Sequence, residues 1–276
     1  MEKCCFIHFK PGNKENAVTA EFDVKIGDKI IKQVSETKFL GITIDNKLSW
    51  DTHINKLSKK LSCATGILNR IKDNIPSELH KNLYHTLFES HLAYGITAWG
   101  GVSDKKLQSL FKVQKICLRI LYGDKETYLN KFKTCCRVRP YDHQKLENSF
   151  YEKEHSKPIF NEKFIMTVHN LYVYHCSNET LKIMKYRTPI SMFNVFKTSN
   201  RKTTQMVTPI PDIQYVYNAS ITWNWARQVI KSNTDISDFS FSSADAKAIL
   251  KNHILLTQKM GNSCEWNKYR DKLVLF

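Results

Sequence analysis

The chain has 276 residues, of which 42% are apolar and 12% aromatic, and this composition excludes a disordered polypeptide. Its 42 Lys and Arg residues against 26 Asp and Glu leave a net charge of +16, which indicates a polyanionic partner: nucleic acid more often than an anionic membrane. The N-terminus lacks the apolar region of a signal peptide, and no apolar run approaches the ~20 residues that span a bilayer. We therefore expect an intracellular protein, cytoplasmic or nuclear, without a membrane partner.

Residues 1–46 contain short alternating segments that predict a residual β segment. A strand is predicted over 4–9, and Gly27-Asp28 predicts a hairpin turn between two further strands. The stretch 38–45 predicts one more strand, in which Gly41 lets another backbone approach closely. Because so few strands bury little surface, we expect this antiparallel segment to pack on helices or on a second protein chain.

From Trp50 onward the apolar residues recur with the period of a helix. The first helix is predicted to begin near Ser49, which is a suitable capping residue. Two more helices follow, one from Pro76 to the Gly100-Gly101 pair and one from Ser103 or Asp104 to Gly123. Short connections between three helices predict an antiparallel bundle over 47–123. The apolar stripe of the first helix is Trp50, Ile54, Leu57, Leu61, Ala64, Leu68 and Ile71.

The bundle itself is basic, with 12 Lys and Arg against five Asp and Glu within 47–122, a surplus of seven. Cations on one surface bind phosphates with a gain from released counterions, so this excess predicts a backbone-phosphate surface without sequence specificity. The candidate phosphate contacts lie off the apolar stripes and are Lys56, Lys59, Lys60, Arg70, Lys105, Lys106, Lys112, Lys115 and Arg119.

The remainder of the chain is also predicted to be mainly helical. Residues 124–163 read as a basic linker with one or two short helices, and 164–276 as a helical C-terminal extension. Within that extension, the segment 197–218 is rich in Thr and Asn and holds two prolines, which predicts an extended chain. The fold class that results is mainly α, with the N-terminal β segment packed on a helical bundle.

No residue pattern identifies a catalytic or metal site. Two-metal chemistry needs clustered carboxylates, and this chain has no adjacent Asp-Asp pair. The eight cysteines lack Cys-x-x-Cys spacing, so zinc is not predicted. We expect no cofactor, although a Cys/His pair for covalent catalysis stays open. Two groups of potential ligands without the paired zinc spacing are Cys135, Cys136, His143 and His155, and His169, His175 and Cys176.

Several stretches resemble one known family, in the order found there. Residues 38–45, followed by Leu48-Ser49-Trp50, resemble the end of the reverse transcriptase of non-LTR retrotransposons of the jockey/CR1 type. Residues 92–100 are similar to the Tyr-Gly…Trp-Gly motif of that family's thumb, and Gln114-Lys115 with Leu118-Arg119 to the helix after it. Further similarity covers parts of the C-terminal region, at 154–158, 166–172, 200–202, Pro209 and Trp223-Asn224.

The resemblance implies that Phe39, Leu40 and Gly41 form a primer grip and that the following helices form a thumb on an RNA–DNA template–primer duplex. It also implies that the Asp-Asp catalytic palm, which would bind Mg²⁺, precedes Met1, so we expect no polymerase activity from this chain alone. Three functions stay open. The chain is a nucleic-acid-binding fragment of an RNA-directed DNA polymerase, an interaction module for a separate catalytic half, or a relic without function.

Overall fold

The computed structural model describes residues 4–9, 23–123, 156–196, 214–233 and 243–260. Helices hold 68% of the interpretable residues and the strands are short, so the chain has the mainly α class that the sequence predicts. In these ranges, no helix combines the length and the apolar character that a bilayer crossing requires.

The N-terminal strands form three two-stranded sheets within the described residues. The predicted turn at Gly27-Asp28 is confirmed, because Gly27 has a φ of +60° between two paired strands. The strand pairs are β1 (Cys5–Phe6) parallel to β4 (Lys32–Gln33), β2 (Lys25–Ile26) antiparallel to β3 (Lys29–Ile30), and β5 (Glu36–Phe39) antiparallel to β6 (Ile42–Asp45).

The prediction of a single strand over 38–45 was wrong, because β5 and β6 form a tight hairpin. The two loop residues are Leu40 and Gly41, whose φ angles are +45° and +84°. Two successive positive φ angles in a two-residue loop are typical of a type I′ turn, whose twist matches that of paired strands. Leucine rarely adopts a positive φ, so Leu-Gly does not stand out in a sequence as a hairpin turn.

Helix α1 spans Asp51–Ile71 and buries the predicted stripe, with Ile54, Leu57, Leu61, Ala64 and Leu68 in the core. It begins close to the predicted Ser49, whose hydroxyl accepts a hydrogen bond from the backbone N–H of Asp51 at 3.4 Å. The carboxylate of Asp45 also accepts hydrogen bonds from the backbone N–H groups of Lys47, Ser49 and Trp50, at 3.0, 3.0 and 2.9 Å. Asp45 thus fixes the path of the chain from β6 into α1.

The second predicted helix is interrupted. A π-helical segment (Tyr84–Glu89) follows its first turn, and a turn at Tyr94-Gly95 separates its last two pieces. Gly95 has a φ of +61°, and a Cβ atom there would lie 2.4 Å from the side chain of Ile42. The break therefore makes room for the hairpin. The bounds of the helical pieces are α2 (His80–Leu83), α3 (Ser90–Ala93) and α4 (Ile96–Trp99).

Helix α5 spans Asp104–Tyr122 and runs parallel to α1. Near the start of both helices, Lys106 Nζ lies 2.8 Å from the carboxylate of Asp51 and donates to the carbonyl of Ser49 at 2.7 Å. Just beyond the end of α1, Lys72 Nζ donates to the carbonyl of Ile120 at 3.3 Å. The bundle is therefore up-down-up: helices that follow one another in sequence are antiparallel, and the first and last are parallel.

The C-terminal helices share one hydrophobic core with the bundle, and this core runs from Ile54 to Leu255. The segment 214–218 is helical, so the end of the predicted extended segment 197–218 was wrong, while 197–213 and 124–155 lie outside the described residues. The bounds are α6 (Lys157–Glu162), α7 (Val168–Tyr186), α8 (Ile190–Phe193), α9 (Gln214–Asn233) and α10 (Ser243–Met260).

Candidate nucleic-acid interface

Helix α1 carries cations on the side opposite its buried stripe. Lys59 and Arg70 are exposed, and at 100° per residue they point away from Leu61 and Leu68, which are fully buried. No carboxylate occurs in the sequence between Asp51 and Asp73. The outward side of this helix therefore carries two cations and no carboxylate.

Helix α5 repeats this arrangement. Lys105 and Lys112 are exposed and lie opposite the buried Leu110 and Leu118. Because α5 runs parallel to α1 and packs against it above the same core, the outward sides of the two helices face the same way. We call this surface the α1–α5 face, defined by Lys59, Arg70, Lys105 and Lys112. Within the described residues, none of these four side chains forms an ion pair.

The other five predicted cations have different surroundings. Lys56 and Lys106 pair with carboxylates, at 3.2 Å from Glu36 and 2.8 Å from Asp51. Lys115 is half-buried with its Nζ 4.8 Å from the ring centroid of Phe111; burial, and then Arg119 and Lys112, lower its pKa. Arg119 is buried, with 6% of its surface exposed. Lys60 is exposed and lies close enough to His91 to add to the lowering of that residue's pKa, which burial dominates.

The predicted primer-grip residues form the tip of the β5–β6 hairpin. Phe39 and Leu40 are 60% and 74% exposed. The hydroxyl of Tyr94 donates to the carbonyl of Leu40 at 2.7 Å, and a Cβ atom on Gly41 would lie 3.2 Å from the Tyr94 ring. The group that approaches Gly41 closely is thus the side chain of Tyr94, and not another backbone as the sequence predicts. The two stretches 38–45 and 92–100, each of which resembles a different part of the family's sequence, are therefore in contact.

His53 connects the hairpin to α1. It is buried beside Trp50 and Trp99, with ring centroids 6.3 and 5.6 Å away. Its Nδ1 accepts a hydrogen bond from the backbone N–H of Thr43 in β6, at 3.3 Å. This contact requires an unprotonated Nδ1, and burial, followed by the charge of Lys56, lowers the pKa of the ring.

Sequence reasoning missed Glu36, Asp45 and Tyr94 as the residues that attach the hairpin to the bundle. Asp45 carried a weak signal, since an Asp shortly before a helix often accepts backbone N–H groups there. Glu36 and Tyr94 carried none, because each contacts a partner that is 20 or more residues away in the sequence.

The described residues do not bring the predicted metal ligands together, and two of the described cysteines are buried. No group of three or more His, Cys, Asp or Glu side chains among these residues could hold a metal ion, which leaves His169, His175 and Cys176 without a shared site. The other predicted group, at 135–155, lies outside the described residues. Burial raises the pKa of Cys117 to about 12 and of Cys176 to about 11, so neither thiol supplies a thiolate at neutral pH.

Comparisons with protein-family models, curated protein sequences and solved structures each found no match to the chain. The resemblance to reverse transcriptases therefore stays a prediction from the residues.

Proposed function

We propose that this protein binds the phosphate backbone of double-stranded nucleic acid, an RNA–DNA hybrid or a duplex, without sequence specificity. The observation that carries the proposal is the α1–α5 face. Four exposed cations from two parallel helices lie on one side of the bundle, and no carboxylate occurs within 52–71 or 105–122. Such a surface gains binding free energy by releasing counterions from the nucleic acid.

The dimensions of the face suit a duplex. At 1.5 Å per residue, Lys59 and Arg70 lie about 16 Å apart along α1, and Lys105 and Lys112 about 10 Å apart along α5. Packed helices have axes roughly 8–10 Å apart, so the cations form two rows. Double-stranded DNA carries one charge per about 1.7 Å of its axis, and several phosphates therefore fall within reach of both rows.

The aromatic residues argue for duplex over single strands. Proteins that hold single strands stack bases on exposed aromatic side chains. In the bundle, Tyr84, Phe88 and Trp99 are fully buried, and the exposed Tyr94 contacts the hairpin. The exposed large apolar side chains of α1 and α5 themselves are the aliphatic Ile67 and Ile116. A positive face without an exposed aromatic can contact phosphates but offers no platform for bases.

Within this proposal, the protein acts as the template–primer-holding part of a retrotransposon RNA-directed DNA polymerase. The exposed hairpin tip of Phe39, Leu40 and Gly41 takes the place of the primer grip, and the bundle takes the place of the thumb. What supports this assignment is the contact of the hairpin with Tyr94, which joins the two stretches that resemble the family.

A salt titration with paired variants tests the proposed function. Neutralising one cation on each helix (Lys59→Gln with Lys112→Gln) should weaken binding to an RNA–DNA hybrid. It should also make the plot of log Kobs against log salt shallower by about 1.8, since each phosphate contact contributes about 0.9 to the slope. The matched control is Lys247→Gln with Lys251→Gln, which removes two charges from α10 and should leave the slope unchanged.

Duplex DNA and single-stranded DNA complete the experiment, which fluorescence anisotropy can follow between about 50 and 200 mM salt. Hybrid and duplex should bind more tightly than single strands. A salt-independent affinity, an equal effect of the α10 control, or tighter binding to single strands would each contradict the proposal.

A further inference from the structure

Glu36 pairs with a cation of α1 that lies one turn before the α1–α5 face. Its carboxylate lies 3.2 Å from Lys56 Nζ and also bonds to the side chain of Thr52, which is one turn earlier on α1. Lys56 in turn lies one turn before Lys59, the first cation of the face. The side chains of Lys56 and Glu36 are 56% and 43% exposed, so a phosphate in solution can reach Lys56.

Lys56 also relieves a repulsion inside the hairpin. Glu36 and Asp45 are directly opposite each other in the β5–β6 pair, where two like charges destabilise strand pairing. The hydrogen bond from Lys56 lowers the pKa of Glu36, so this carboxyl is ionised at neutral pH. Partial burial raises the pKa of Asp45, but the N–H groups of Ser49, Trp50 and Lys47 together bring it below its usual value. Both carboxylates are therefore negative, and Lys56 offsets their repulsion.

We propose that Glu36 and a nucleic-acid phosphate compete for Lys56, so that the hairpin inhibits binding and bound nucleic acid releases the open end of β5–β6. This inference rests on the proposed function. A phosphate on Lys56 repels Glu36 and leaves it facing Asp45 without its counter-charge. The hairpin tip stays attached, because Tyr94 holds Leu40 and His53 holds Thr43. Binding thus loosens one end of the hairpin and keeps the tip in place.

The test measures how the full chain and its variants bind an RNA–DNA hybrid. Glu36→Gln should tighten binding about three- to fivefold, the size of an exposed ion pair. Its salt slope should stay close to that of the wild type, because Lys56 contacts one phosphate in the bound state of both proteins. The control is Asp73→Asn, which removes one exposed negative charge just beyond the other end of α1 and should change the affinity far less.

A double-mutant cycle with Lys56→Gln separates competition from a general charge effect, since Glu36→Gln should have no effect on affinity once Lys56 is neutralised. In the wild type, hydrogen exchange of the amides near Glu36 and Asp45 should become faster on addition of the hybrid, while those near Leu40 stay protected. Equal effects of Glu36→Gln and Asp73→Asn, an undiminished effect in the Lys56→Gln background, or slower exchange would overturn the inference.

These failures differ from a failure of the proposed function. If the wild type binds the hybrid with the expected salt dependence but Glu36→Gln behaves like its control, only the competition is wrong. If neither the wild type nor any variant binds, both proposals are wrong.

Discussion

At the scale of single residues, Gln114 connects three parts of the fold. Its side chain is fully buried. The amide nitrogen donates to the hydroxyl of Tyr84 at 2.8 Å and to the carbonyl of Met166 at 2.9 Å. The amide oxygen accepts from the backbone N–H of Val168 at 3.0 Å. One residue of α5 thus satisfies polar groups of the π-helical segment and of the chain that enters α7.

Replacing this amide by an apolar side chain of similar size should be strongly destabilising. Gln114→Leu leaves three buried polar groups unsatisfied, and we expect a loss of about 3 kcal/mol or more in the free energy of unfolding. Denaturant titration followed by circular dichroism measures this loss. Gln108→Leu, an exposed position on the same helix, is the control and should stay within about 0.5 kcal/mol of the wild type. Similar losses for the two variants would show that Gln114 does not join these elements.

His53 makes stability depend on pH. Its folded-state pKa is lower than the ordinary value of 6.5, so on acidification the unfolded chain takes up this proton before the folded chain does. The neutral ring therefore contributes stability that is fully present above pH 6.5. This contribution is lost as the pH falls through the folded-state pKa.

The prediction for His53 is a difference between two pH profiles. The free energy of unfolding of the wild type, measured between about pH 8 and pH 5, should fall more on acidification than that of His53→Gln. His91 and His175 also have pKa values lowered by burial, and their contribution remains in both proteins. The difference between the profiles therefore isolates His53, and parallel profiles would contradict the assignment.

At the scale of elements, the β5–β6 hairpin depends on contacts from outside itself. A two-stranded hairpin is at best marginally stable alone, and this one holds Leu40 at a φ of +45°. The bundle compensates through the hydrogen bond from Tyr94 and the packing of Ile42 on Gly95. The hairpin is thus positioned by the turn that interrupts the second helix.

Removing the Tyr94 hydroxyl should loosen the hairpin and leave the bundle unchanged. For Tyr94→Phe we expect faster hydrogen exchange in β5 and β6 and a loss of about 0.5–1.5 kcal/mol, the range for one hydrogen bond. Tyr186→Phe is a matched control, because both rings are 56% exposed. Unchanged exchange in the hairpin of Tyr94→Phe would show that this hydroxyl does not hold the tip.

At the scale of the whole molecule, α7 joins the bundle to the C-terminal helices. Ile165 and Met166 enter the same core as Leu61 and Leu110. Just before α7, Gln258 of α10 donates to the carbonyl of Ile165 at 2.9 Å and accepts from the N–H of Thr167 at 3.2 Å. The helical bundle and the C-terminal extension, which the sequence analysis treats as separate domains, therefore share one hydrophobic core in the described residues.

The sequence predicts the basic surface only in part. All nine candidate cations lie on α1 or α5, but only Lys59, Arg70, Lys105 and Lys112 define the α1–α5 face. A position off the apolar stripe indicates that the side chain points away from the core that its own helix contacts. It does not indicate which residue from another part of the chain contacts that side chain. Glu36 pairs with Lys56, and Asp51 pairs with Lys106. Lys115 is half-buried and Arg119 is buried.

The sequence by itself determined the mainly α class, the apolar stripes of α1 and α5, the turn at Gly27-Asp28 and the positive charge of the bundle. These properties follow from composition and from residues a few positions apart, which a helix or a hairpin brings together. Only the tertiary structure decided that α1 and α5 face the same way and that Leu40 and Gly41 form a turn. It also decided that Glu36 lies over Lys56. Each of these depends on contacts between residues distant in the chain, whose energies no local pattern encodes.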